Sequence, residues 1–131
     1  MSNTPFTTLT AALKTQLETV SGVTVYDKMP TQGAFPDKSV LVTCIGRGFQ
    51  PRPQNVHSQK CVPMRFQLDL LAKSDSTLKT LADNIHEAIY TWAAHPENEI
   101  TDQGDKPWES GRTSSMHRRV FDVELWTWIT K

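Results

Sequence analysis

Residues 64–92, MRFQLDLLAKSDSTLKTLADNIHEAIYTW, change hydrophobic period once, and that switch limits the possible folds more than any other feature of the chain. Met64, Phe66, Leu68 and Leu70 alternate with Arg65, Gln67 and Asp69, the period-two pattern of a strand with one wet face. From Ser74 onward the period becomes helical. Leu78, Leu81, Ala82, Ile85, Ala88, Ile89 and Trp92 share one stripe, while Lys79, Asp83, Asn84 and Glu87 fall mostly opposite. Ser74, Asp75 or Ser76 can cap the start, and Pro96 closes the segment. A strand running within a few residues into an amphipathic helix needs both apolar sides buried, and laying the helix on a sheet does this.

The flanking segments extend that plan. Thr4 as N-cap, Pro5 as first helical residue and the stripe Phe6, Leu9, Leu13, Leu17, Val20 predict a first helix, with Gly22 as its left-handed stop. Val23, Val25 and Tyr26 read as a short strand. SVLVTCI, residues 39–45, reads as a strand in the middle of a sheet, and HRRVFDVELWTWIT as the final strand. On that last strand Phe121, Val123, Leu125 and Ile129 fall on one face, with Asp122, Glu124, Trp126 and Trp128 on the other. The expected architecture is a single α+β domain over residues 1–131. It is an antiparallel or mixed sheet with two amphipathic helices packed on one face, a projecting β-hairpin arm at 46–63 and an acidic loop at 96–115.

No phosphate-cradle, dinucleotide, zinc-protease or nucleophile-elbow motif is present, so nothing points to an enzyme or a cofactor. The GxG of IGRGFQ has no helix after it, and its glycines read as a bend at the foot of the arm. His57 and His117 could act as bases with Asp69 or Asp122, but no spacing forces such a pair, and loop or strand-surface histidines are the simpler reading. Cys44 and Cys61 form no metal-ligand spacing with the histidines; a hairpin over residues 40–70 could bring them to disulfide distance, although reduced thiols are expected. The opening MSNTPFTTLT lacks a secretory pattern and no segment approaches the roughly eighteen apolar residues of a membrane span, so a soluble protein made in the cytoplasm is expected.

Charge is more informative by position than in total. Fourteen basic residues against fourteen acidic ones leave no net charge to attract nucleic acid. Yet GRGFQPRPQNVHSQKCVP, residues 46–63, contains no acid, and from Gly46 to Arg65 the residues Arg47, Arg52, Lys60 and Arg65 give a local excess of four positive charges. Glu97, Glu99, Asp102, Asp105 and Glu109, against Lys106, give the opposite excess at 95–109. Such patches suit head-to-tail contact between identical copies. The expected contact residues are Arg47, Phe49, Arg52, Lys60 and Arg65 on one side, and Glu97, Glu99, Asp102 and Asp105 on the other, with Trp126 and Trp128 as aromatic anchors.

Several phrases resemble one family. VTVYDKMP at 23–30, AFPDKSVLVT at 34–43 and FQLDLLAKSDSTLKTLADNIHEAI at 66–89 are similar to the tail-terminator, or tail-completion, proteins of long-tailed bacteriophages, including the lambda-like terminators. Leu68, Asp69, Leu70 and Leu71 stand where the family's strand ends, with Leu71 in place of its usual tryptophan; Leu81, Ala82, Asp83 and Ile85 match its helix phrase. The resemblance implies a structural virion protein forming a ring, typically of six copies, at the head-proximal end of the tail. Its partners would be itself, the tail tube protein and a head-completion or connector protein, with DNA only passing through the lumen. A head-tail stopper or other neck or baseplate component is the alternative within that class. A small nucleic-acid-binding module, with arginines on phosphates and Phe49 on a base, is the alternative outside it.

Overall fold

The computed structural model describes residues 5–29, 35–47, 54–56, 59–106 and 116–130. In chain order these form α1 (Pro5–Leu17), β1 (Thr24–Tyr26), β2 (Ser39–Arg47), β3 (Gln54–Val56), β4 (Gln59–Ala72), α2 (Asp75–Tyr90), β5 (Asn98–Lys106) and β6 (His117–Thr130). The period switch becomes β4 followed by α2. Ser74 is the N-cap, its hydroxyl accepting from the Thr77 N–H at 3.2 Å.

The sheet is mixed, in the order β1-β2-β4-β6-β5, with β3 also on β4. β1 runs parallel to β2, and the β2–β4, β3–β4, β4–β6 and β5–β6 pairs are antiparallel. The register aligns the apolar alternations. Met64 lies across from Leu125, Phe66 from Val123 and Leu68 from Phe121 on one side, while Val40 faces Leu70 and Val42 faces Leu68 on the other. These residues form one buried core with Leu9, Leu13 and Leu17 of α1 and Leu78, Leu81, Ala82, Ile85 and Ile89 of α2. Both helices therefore cover the same face, as the α+β reading expects. Gln16 Nε2 donates to the Ala88 carbonyl at 2.9 Å and ties them together.

The opposite face is divided. At the Leu71 end a smaller apolar cluster of Phe35, Leu71 and Met116, with Tyr26 against it, covers the sheet. Tyr26 and Phe35 meet edge to face, with ring centroids 5.3 Å apart. Toward Arg65 and Glu124 the same face is polar and only part-buried.

Three expectations change. The segment read as an acidic loop at 96–115 is a strand from Asn98 to Lys106; its acids hid the period, because an edge strand on a half-covered face needs few apolar residues. Gly22 is left-handed (φ 79°), but α1 has already ended at Leu17, and turn bonds such as Thr19 N–H to the Gln16 carbonyl carry the chain to it. Cys44 is a free thiol. It lies across from Phe66, five residues along β4 from Cys61, a separation of about 16 Å at strand rise and far beyond disulfide reach.

The arm is also drawn differently. β3 pairs antiparallel with the start of β4, Gln54 opposite Cys61 and Val56 opposite Gln59. β6 lies along the other side of the same stretch, pairing five positions beyond Met64–Leu125, from Pro63–Trp126 to Gln59–Thr130. Residues 59–63 are thus the first part of a central strand, with 59–61 paired on both sides and 62–63 paired with β6. The positive-φ Gly46 accompanies a register shift in β2 between Cys44 and Gly46, the bend expected of it. Residues 48–53 and 57–58 lie outside the described residues.

Candidate interaction surface

The polar part of the open face is built by parity. On β4 the side chains between the core positions are Arg65, Gln67 and Asp69; on β6 they are Glu124, Asp122, Val120 and Arg118; on β5 they are Glu99 and Thr101. Two diagonal ion pairs cross β4–β6. Arg65 hydrogen-bonds Asp122, although its direct cross-strand neighbour is Glu124. Arg118 Nε donates to Asp69 Oδ1 at 2.8 Å, and Gln67 Nε2 donates to the same carboxylate at 3.2 Å. Asp69 is 3% exposed, so its charge depends on these donors.

Among the described residues Glu124 has no such partner of its own. It lies directly across from Glu99, and Arg65 is already engaged by Asp122. Burial and the nearby Glu99 push its carboxyl above the ordinary range, with Arg65 opposing them. Arg65, Glu99, Thr101, Asp122 and Glu124 line an open depression of ≈ 220 Å³. Trp126 adjoins it on the same strand face, half-buried, with its backbone N–H donating to the Glu97 carbonyl at 3.1 Å.

The expected contact residues therefore separate into groups. Arg65 and Glu99 line this depression, and Trp126, joined to Glu97 by a backbone bond, lies beside it on the same strand face. Asp102 and Asp105 do neither: both bind Arg119 of the neighbouring strand, with Nε 3.1 Å from Asp102 Oδ1 and Nη1 3.2 Å from Asp105 Oδ1. The one-residue bulge between them, with Gly104 at φ 78°, folds β5 around that guanidinium, and the Gly104 N–H adds a 2.7 Å bond to Asp102. The Arg119 hydrogen bond holds the Asp102 carboxyl below its usual range. The negative patch is smaller than the sequence sum because Arg119, distant in sequence, lies beside it.

Lys60 and Trp128 are placed by their backbones on β4 and β6, and Arg47 ends β2; Phe49 and Arg52 lie outside the described residues. Glu124, Asp122 and Thr101 complete the surface although none is among the contact residues expected from the sequence. Parity put Glu124 beside Trp126, but the β5 register that sets Glu99 against it is not written in either strand.

Of the earlier base candidates, His117 begins β6 across from Ala72 and His57 is outside the described residues. Among the described residues no group of three or more His, Cys, Asp or Glu could hold a metal ion, and no helix is long and apolar enough to cross a membrane.

Comparison with family models and with curated proteins gives no match. Solved structures do share the fold. A chain of the virion of a native gene transfer agent particle is 18% identical, with a TM-score of 0.51, covering 91% of this chain and 95% of that one. A chain from an extracellular contractile injection system, the PVC sheath/tube terminator in its extended state, is 9% identical, with a TM-score of 0.53. That match covers all of this chain and 59% of the other, so this chain spans little more than half of that terminator. At these identities the likeness is one of fold.

Proposed function

We propose that this chain is a structural tail component that forms a ring at the head-proximal end of a phage tail tube, ends tube polymerisation and offers its other face to the head connector. The observation that carries the reading is that the fold, over its whole length, is shared with a sheath/tube terminator. The gene transfer agent virion chain supports the same class, because there the match spans nearly all of both chains. The phrases at 23–30, 34–43 and 66–89 resemble the same class of protein.

On this reading the two-helix, one-sheet body is the ring segment, and the β3–β4–β6 extension reaches a neighbouring copy or the tube. Identical copies related by rotation meet through two different patches, and the contact closes when the rotation divides a full turn. Six copies are expected. DNA passes through the lumen without being read, as suits a chain of zero net charge.

Native mass spectrometry at micromolar concentration, with and without tail tube protein, tests the reading. A closed oligomer, alone or on tube addition, is the expected result. A species that stays monomeric in both conditions would count decisively against a ring.

A further inference from the structure

The open face of β5 and β6 joins three features that the ion-pair network leaves unused. Trp126 is a half-buried aromatic side chain on that face. Glu99 and Glu124 lie directly opposite one another beside it, a like-charge pairing that destabilises a sheet unless a cation is supplied. Glu97 is held next to Trp126 by the backbone bond between them. Neither Glu97 nor Glu99 has an ion pair among the described residues, and the one nearby cation, Arg65, is bonded to Asp122. An aromatic platform framed by carboxylates recognises an extended segment carrying arginine and proline: the ring accepts guanidinium and pyrrolidine faces, and the acids fix the guanidinium.

The same chain contains such a segment. Residues 46–53, GRGFQPRP, hold Arg47, Arg52, Pro51 and Pro53 with no acid. Its basic charge complements the acids around Trp126, and in a ring of identical copies each copy's segment can meet the next copy's acids.

We infer that Trp126, Glu97, Glu99 and Glu124 form the receptor for the Arg47–Pro53 segment of a second copy, the contact by which one subunit holds the next. The inference rests on the ring reading and specifies which patches meet. It replaces the broader acidic segment, because Asp102 and Asp105 are occupied by Arg119.

Complementary charge reversal in full-length protein tests it. One variant carries Arg47→Glu and Arg52→Glu, the other Glu99→Lys and Glu124→Lys, and circular dichroism establishes that both fold. Each alone is expected to self-associate at least about tenfold more weakly than wild type by analytical ultracentrifugation, since like charges then face each other. An equimolar mixture is expected to recover association, because each variant's segment then meets the other's receptor. Contact within one chain could not be restored by mixing.

Single variants that assemble like wild type, or a mixture that fails to recover while both components are folded, overturn the docking while leaving the ring reading intact. Wild type that stays monomeric even with tube protein removes the ring reading and the docking with it. As a second readout, a peptide of residues 46–54 added to full-length protein should shift the Trp126 indole resonance, assigned with Trp126→Phe. A peptide with both arginines changed to glutamate should leave it in place; equal shifts from both peptides would also overturn the inference.

Discussion

Two arginines on one sheet face have unequal roles, and burial decides the difference. Asp69 is almost fully enclosed, with Arg118 and Gln67 as its donors, whereas the Arg65–Asp122 pair stands at the wet end of the face. Arg118→Ala leaves a buried carboxylate short of its cation and is expected to cost about 3 kcal/mol in urea unfolding. Arg65→Ala is expected to cost under about 1 kcal/mol, the usual range for an exposed pair. Equal losses would show that Asp69 is not dependent on Arg118. Titration separates two other acids. The Glu124 carboxyl is raised, so the folded chain takes up that proton at a higher pH than the unfolded chain, and stability rises as pH falls through that window. Asp102 has the opposite sign: its depressed value gives stability that is full above the unfolded carboxylate range and lost as pH falls through the folded value. The expected stability curve therefore climbs slightly on mild acidification before it falls. Glu124→Gln removes the climb, and carboxyl NMR should find Glu124 titrating above Asp102.

Among the elements, the β4–α2 unit was the most legible because both of its signals are local. Period two gives way to period 3.6 across a capping serine, and the structure starts α2 at Asp75 after Ser74. Ser74→Ala is expected to cost about 1 kcal/mol by thermal or urea unfolding, the usual loss when an N-cap oxygen is removed. Ser76→Ala, one residue inside the helix, is expected to cost less; the reverse order would move the cap. β6 was legible for the same reason, its alternation running from His117 to Thr130. β5 was not. Among its residues only Ile100 packs against the core, and the acids that suggested a loop include the two that grip Arg119. That grip depends on a bulge and on a partner strand, neither of which leaves a periodic trace. The candidate surface was legible to the same degree: Glu99 and Trp126 could be chosen from residue type, but their meeting with Glu124 required the register.

At the scale of the whole molecule, fold class followed from element order, while sheet order did not. β4 pairs with β2 and β3 on one side and β6 on the other, so it is the strand every long-range pairing except β1–β2 and β5–β6 must find. The position of β6 between β4 and β5 has a consequence for synthesis. During translation β5 leaves the ribosome before β6, the strand that will hold it, and β4 must wait through α2 and β5 for its fourteen-residue partner. The nascent chain can form α2 early, but the open face around Trp126 comes into being only with the last strand described. If the proposed docking holds, a subunit still being made offers its own basic segment but has no face on which to hold a neighbour's until β6 is in place.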